Sequence, residues 1–144
     1  MSTAYKIIDR VFFGPASTTF HAESMASFTH IVNCDSTVES TCIDIPAKQF
    51  LFLRSYDDNF PMLDLHFDRL CHYIDDALKD PAAAVYIHCR QGINRSAALA
   101  VAYACRATGE PASTLISRTR MESKRLILTN KDFEAQLQNR FPSA

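Results

Sequence analysis

The stretch that most constrains this chain runs from residue 83 to residue 109. It begins with AAVYIH, an apolar run whose length and residue types predict a buried strand. The loop CRQGIN follows, and then RSAALAVAYACRAT, which is apolar nearly all round and is followed by Gly109. This second segment predicts a buried helix with a glycine C-cap. A buried strand that passes through a short loop into a buried helix indicates a layered α/β domain.

The rest of the chain alternates short apolar runs with helical patterns. Further strands are predicted at 6–8, 11–13, 30–34, 41–45 and 49–53, and a long amphipathic helix over 61–79. Another helix is expected after Pro111, and a last one is capped by Thr129 or Asn130. Because the 144 residues suit one ordinary domain and 47% of them are hydrophobic, we expect residues 1–144 to form a single domain. Its central, mainly parallel sheet should carry helices on both faces.

The charge and cysteine counts exclude several classes of protein. With 15 basic and 16 acidic side chains, no global field draws the chain to nucleic acid or to an anionic membrane. The N-terminal residues lack the apolar core of a signal peptide, so we expect a cytoplasmic protein, with the nucleus or a virus particle as alternatives. Five scattered cysteines do not suggest a disulfide framework. A zinc site from Cys71, His72, His88 and Cys89 would lack the usual paired spacings, so no metal is expected.

The loop between the buried strand and the buried helix has the features of an anion site. Its successive backbone N–H groups can converge on one point, where the helix N-terminus adds positive charge. Gly92 permits a tight turn, and Arg95 has a planar fork of donors that can hold two phosphate oxygens. The predicted phosphate cradle comprises Arg90, Gln91, Gly92, Ile93, Asn94 and Arg95.

Cys89 lies at the base of this cradle. Cysteines near cations and helix N-termini are held as thiolates, the nucleophilic form. A thiolate that faces a bound phosphate suggests attack on phosphorus and a cysteinyl-phosphate intermediate. Ser96 is placed to donate a hydrogen bond to the sulfur and so to help the thiolate leave. The alternative is that Cys89 is one more buried thiol at the end of a strand.

The loop HCRQGINRS resembles the signature His-Cys-x5-Arg-Ser/Thr of the cysteine-dependent protein phosphatases, and the dual-specificity branch matches best. RVFFG resembles the opening strand of that family, THIVNCDS its next strand, and KRLILTNKDFEAQL its closing segment. The resemblance implies a protein tyrosine phosphatase-like fold, with Cys89 as nucleophile, Arg95 as phosphate clamp and His88 as a supporting residue. It also implies phosphorylated protein substrates and no cofactor.

A phosphatase of this kind needs a carboxylic acid from a second loop to protonate the leaving oxygen. RSYDDNFPM supplies Asp57 and Asp58. In the family that the chain resembles, the acid lies about thirty residues before the nucleophile and is often followed by asparagine or threonine. We therefore prefer Asp58, which lies 31 positions before Cys89 and precedes Asn59. Asp57 is then expected to cap the following helix or to face solvent.

The resemblance also bears on the choice of substrate. Arg125 stands where dual-specificity relatives often carry a basic residue near the mouth of the pocket, so it is a candidate substrate contact. The chain is too short for the loops that deepen the cleft of tyrosine-specific enzymes, so phosphotyrosine, phosphoserine and phosphothreonine are all expected substrates. Three alternatives are an RNA 5′-triphosphatase, a phosphoinositide phosphatase and a catalytically inactive phosphate-binding module.

Overall fold

In the computed structural model, which describes residues 4–42 and 49–143, five strands form one sheet in the order β1-β2-β5-β3-β4. The strands are β1 (Tyr5–Ile8), β2 (Val11–Pro15), β3 (His30–Asn33), β4 (Gln49–Phe52) and β5 (Val85–Cys89). β1 pairs antiparallel with β2, whereas β2, β5, β3 and β4 are parallel to one another. The prediction of a mainly parallel sheet is therefore confirmed, and β5 lies at its centre.

Five α-helices accompany the sheet within the described residues. They are α1 (Ala22–Met25), α2 (Met62–Ala77), α3 (Arg95–Thr108), α4 (Ala112–Ser123) and α5 (Lys131–Arg140). α3 ends at Gly109, whose φ of 79° is the left-handed conformation that glycine adopts at little cost. At the start of α5, the Asn130 side chain accepts a hydrogen bond from the N–H of Phe133, so Asn130 rather than Thr129 is the cap.

Alternating residues of β5 belong to two apolar clusters, one on each face of the sheet. Val85 and Ile87 belong to the larger cluster, which is shared with α2, α3, α4 and α5. Tyr86 belongs to a smaller cluster on the opposite face, with Met25 of α1, Phe28 and Ile31. Because successive side chains of a strand point to opposite faces, this division places helices on both sides of the sheet, as predicted.

Some local predictions differ from the structure. Thr41 and Cys42 of the expected strand 41–45 are not in a strand, and residues 43–45 lie outside the described residues. Short 3₁₀ helices at Ala16–Phe20 and Val38–Ser40 were not anticipated, because single turns this short carry no apolar period to detect. None of the helices within 4–42 and 49–143 combines the length and the apolar character that a membrane crossing requires.

The parallel strands decide where a functional site can form. The carboxyl ends of β2, β3, β4 and β5 all lie at one edge of the sheet. The segments that follow these four strands therefore converge there, which is the usual location of ligand sites in open α/β sheets.

Candidate active site

The loop between β5 and α3 closes around the sulfur of Cys89. The Gly92 N–H donates to Cys89 Sγ over 3.3 Å, and Ser96 Oγ lies 3.3 Å from the same sulfur. Cys89 is 2% exposed and Ser96 is fully buried. The sulfur therefore lies among polar hydrogens at the N-terminus of α3, an arrangement that stabilises negative charge on sulfur.

Gly92 makes this closure possible. Its φ is +76°, and a Cβ at this position would overlap the backbone of Gly14 and Pro15 at the end of β2. The carbonyl of Arg90 accepts a hydrogen bond from the Ala16 N–H, which ties the loop to the segment after β2. The loop is therefore fixed from outside by the backbone of a neighbouring strand.

A cleft of about 150 Å³ opens above the loop. Among the described residues, its lining includes the predicted nucleophile, the predicted clamp and most of the predicted cradle: Cys89, Arg90, Gln91, Ile93, Asn94 and Arg95, together with Asp57. Gly92 and Ser96 contact the sulfur from below. The structure thus brings together most of the residues singled out in the sequence.

Arg95 is held by a carboxylate that sequence analysis missed. Its Nη1 donates to Asp35 Oδ1 over 3.0 Å and to the carbonyl oxygen of Ser55 over 3.1 Å. Its Nε is buried and has no hydrogen-bond partner among the described residues. A buried donor that is left unpaired is costly, and a phosphate oxygen would satisfy it.

Asp35 is fully buried and is the second residue after β3. Burial works to raise the pKa of its carboxyl, but the Ser36 N–H and the charge of Arg95 outweigh burial and lower that pKa. Asp35 is therefore an ionised partner for the guanidinium. Arg90 lies on its other side, with Nη2 3.5 Å from Asp35 Oδ2. The only sequence signal for this role was a polar residue just after an apolar strand, which is also typical of a turn.

The floor of the site is a hydrogen-bond network between β5 and the segment after β3. His88 is fully buried, its Nε2 lies 2.7 Å from Thr41 Oγ1, and burial lowers its pKa to about 4. Asn33 donates through Nδ2 to Thr41 Oγ1 over 2.9 Å and to neighbouring groups of the same segment. A neutral His88 and a fully bonded Asn33 therefore support the loop from beneath.

The two candidate acids are placed differently. Asp57 lines the cleft, whereas Asp58 is absent from its lining. Asp57 Oδ2 accepts from Asn94 Nδ2 over 3.0 Å, and Asp57 Oδ1 accepts from Asn130 Nδ2 over 2.8 Å. Asp58 contributes only its carbonyl oxygen to the same Asn130. Of the two candidates, the structure therefore places Asp57 rather than the preferred Asp58 at the cleft, where two amides hold its carboxylate. Which of the two acts as the acid stays a prediction.

Arg125 does not line the cleft and belongs to the segment between α4 and α5. This segment is attached to the cradle, since the Leu128 N–H donates to the carbonyl oxygen of Ile93 over 2.7 Å.

The described residues contain no group of three or more His, Cys, Asp or Glu placed to hold a metal ion. The arrangement brings a thiol, a guanidinium and a carboxyl group to one cleft.

Comparison with known proteins identifies the family of this chain. The model of the dual specificity phosphatase catalytic domain matches residues 11–141. The chain belongs to this family.

Two curated proteins are similar to the chain over part of their length. Mouse dual specificity protein phosphatase 13B is 32% identical over 82 residues, which are 52% of this chain and 40% of that protein. Drosophila melanogaster protein phosphatase Slingshot is 26% identical over 141 residues, which are 96% of this chain and 13% of that protein. The chain therefore spans less than half the length of either relative.

The fold is also found among solved structures. Human DUSP28 superposes with a TM-score of 0.82 at 23% identity, and the match covers 98% of this chain and 94% of that one. The expectation of a dual-specificity phosphatase fold is confirmed.

Proposed function

We propose that this chain hydrolyses phosphate monoesters through a cysteinyl-phosphate intermediate, with Cys89 as nucleophile, Arg95 as phosphate clamp and Asp57 as general acid and base. One observation carries the proposal: Arg95, whose buried Nε has no hydrogen-bond partner among the described residues, lines the same cleft as Cys89. A phosphate dianion in that cleft would accept from Arg95 and from the cradle amides of residues 90–95, with phosphorus facing the sulfur.

The first step transfers the phosphoryl group to the enzyme. The Cys89 thiolate attacks phosphorus as the bond between phosphorus and the ester oxygen breaks, and the electron pair of that bond stays on the leaving oxygen. Protonated Asp57 delivers its proton to this oxygen, so the leaving group departs as a neutral alcohol or phenol. Arg95 and the amides bind the equatorial oxygens of the transferring group, where charge is spread in the transition state.

The second step returns the enzyme to its starting state. The Asp57 carboxylate accepts a proton from water as the water oxygen attacks phosphorus, and the bond between sulfur and phosphorus breaks. The sulfur leaves with the electron pair, and Ser96, 3.3 Å away, donates a hydrogen bond to it. Inorganic phosphate is released, and Asp57 carries the proton needed for the next turnover.

Phosphorylated proteins are the proposed substrates, on both tyrosine and serine or threonine. The small cleft supports this choice, because phosphoserine and phosphothreonine are too short to reach the base of a deep pocket. The name of the mouse relative includes dual specificity. Arg90, whose side chain is 60% exposed, and Arg125 are proposed to contact the peptide around the phosphorylated residue.

Turnover in the presence of a chelator tests the proposal. Wild type should hydrolyse an aryl phosphate, a phosphotyrosyl peptide and a phosphothreonyl peptide under reducing conditions. Cys89→Ser should reduce all three activities to background, because serine is not ionised at neutral pH. Cys71→Ser, which changes a buried thiol of α2 outside the cleft, is the matched control and should retain activity.

The alternative functions predict different results in these assays. Hydrolysis of triphosphate-ended RNA or of phosphoinositides without hydrolysis of the peptides would replace the proposed substrate class. Phosphopeptide binding without turnover by wild type would instead assign a binding role.

A further inference from the structure

The carboxylate of Asp57 is held by two amides that come from different parts of the chain. Asp57 belongs to an exposed loop, yet each of its oxygens accepts a hydrogen bond: Oδ2 from Asn94 and Oδ1 from Asn130. Asn94 belongs to the phosphate cradle, and Asn130 is the N-cap of α5. The acid loop is therefore fastened to both the cradle and a separate helix.

Each amide is itself fixed in orientation. The Asn130 Oδ1 accepts from the Phe133 N–H over 3.1 Å, and the Asn94 Oδ1 accepts from the Asn130 N–H over 3.0 Å. A backbone N–H can only donate, so the side-chain oxygen must face it and the NH₂ group must face away. Both NH₂ groups are thereby directed at Asp57.

We propose that Asn94 and Asn130 form a clamp that positions Asp57 for proton transfer. The clamp rests on the proposed function, since it gives Asp57 its place as the acid. Neither asparagine side chain reacts, and both act through Asp57 as positioning residues. Asn94 is only 7% exposed, so one end of the clamp is built into the loop that receives the phosphate.

The two-point contact suits a group that must give up and regain a proton. When Asp57 donates, one of its oxygens exchanges an amide for the leaving oxygen of the substrate, while the other oxygen keeps its amide. The carboxyl group then remains placed in both steps. Displacement of a catalytic group by about 1 Å can lower the rate about 100-fold. Removal of this restraint should therefore lower the rate measurably.

The test removes one amide while keeping the helix cap. Asn130→Ser retains an N-cap side chain for α5, since serine caps helices about as well as asparagine does. It loses the donor to Asp57. Asn94→Ala removes the other donor. Asn59→Ala, which changes an exposed asparagine in the same loop, is the matched control.

The readout is how kcat/KM depends on the leaving group, because kcat/KM reports only the steps up to transfer of the phosphoryl group to Cys89. A poor leaving group such as phenol needs the proton from Asp57, whereas a strongly acidic phenol leaves without it. We expect Asn130→Ser to lower kcat/KM for phenyl phosphate about tenfold, which is part of the full contribution of a general acid. Its kcat/KM for the activated aryl phosphate should change by less than about twofold. Asn94→Ala should lower kcat/KM for phenyl phosphate at least as much and should also lower it for the activated substrate, because Asn94 belongs to the cradle that binds the phosphate. Asn59→Ala should match wild type on both substrates.

A double-mutant cycle separates positioning of the acid from a general loosening of the site. In an Asp57→Asn background, Asn130→Ser should cause no further loss with phenyl phosphate, because the group that it positions is already gone. Equal losses on both leaving groups in Asn130→Ser, or a full additional loss in the Asp57→Asn background, would overturn the clamp and leave the phosphatase proposal standing. Absence of turnover by wild type would overturn the phosphatase proposal, and the clamp with it.

Discussion

The loop after β5 and the loop after β4 meet at one cleft but are held in different ways. The first carries Cys89 and is surrounded by buried groups, namely the strand end at Gly14, the side chain of Ser96 and the base of α3. The second carries Asp57 at an exposed position and is held through amide side chains from elsewhere in the chain. The proposed nucleophile is thus positioned by the core of the domain and the proposed acid by two amide side chains.

This difference has a functional consequence. The phosphate cradle must keep several N–H groups aimed at one point, which requires a rigid backbone. The acid must exchange partners during each turnover and therefore suits a loop that is restrained by a few hydrogen bonds. Substitutions in the first loop should affect stability and activity together, whereas substitutions in the second should affect activity alone.

Gly92→Ala should have the largest effect and tests the cradle. A methyl group here would overlap the backbone of Gly14 and Pro15, and a non-glycine residue at positive φ is strained. We expect a loss of about 3 kcal/mol or more in the free energy of unfolding, together with loss of turnover. Urea unfolding measures the first effect and aryl phosphate hydrolysis the second.

Gly109→Ala is the control for that substitution. Gly109 also has positive φ, +79°, but a Cβ there would meet no atom within 4 Å. It should cost only about 1 kcal/mol and leave turnover intact. If the two alanine variants were equally stable and equally active, the conclusion that β2 packs closely against the cradle at Gly92 would be wrong.

Asp57→Asn should have the next largest effect, confined to activity. General acid catalysis is worth about 100-fold or more, so kcat for a phosphotyrosyl peptide should fall by about that factor. The midpoint of urea unfolding should move little, because Asp57 is exposed and the new amide oxygen can keep one of the two hydrogen bonds. Asp58→Asn should lower kcat less than about threefold. A larger loss for Asp58→Asn than for Asp57→Asn would return the acid to Asp58.

The last effect appears only at acidic pH and concerns the floor of the cradle. The pKa of His88 falls from 6.5 to about 4 on burial, so between these values the unfolded chain binds a proton that the folded chain does not. Stability should therefore fall as pH falls from about 6.5 to about 4, by up to about 1.4 kcal/mol per pH unit from this group.

His88→Gln isolates this contribution from other histidines, since the pKa values of His30 and His66 are also lowered by burial. The slope of unfolding free energy against pH should be smaller in His88→Gln than in wild type. Identical slopes would mean that His88 is not held neutral beneath the cradle.

The same contrast explains what could be predicted from the sequence. Cys89, Arg95 and the start of α3 were found because strand, loop and helix are consecutive and each has its own local pattern. The distance in sequence to Cys89 could not distinguish Asp57 from Asp58, because the two residues are adjacent. The carboxylate of Asp57 is held at the cleft by hydrogen bonds from Asn94 and Asn130. Those contacts join residues 37 and 73 positions apart, and one sequence does not reveal them.

Asp35 was missed for a related reason. A polar residue after an apolar strand is typical of a turn, and only the folded sheet reveals that β3 lies next to β5. That neighbour relation puts the Asp35 carboxylate under the guanidinium of Arg95, across 60 positions of sequence. Local patterns therefore identified Cys89 and Arg95 as candidates, whereas the groups that hold them depended on the topology.

The most direct test of the central claim is to locate the phosphoryl group during turnover. Wild type should be mixed with an aryl phosphate, quenched with acid within the first turnover, digested and examined by mass spectrometry. We expect the phosphoryl group on Cys89, in larger amount in Ser96→Ala, where departure of the sulfur is slower, and absent in Cys89→Ser. A phosphoryl group on another residue, or turnover that persists in Cys89→Ser, would contradict the assignment of Cys89 as the nucleophile.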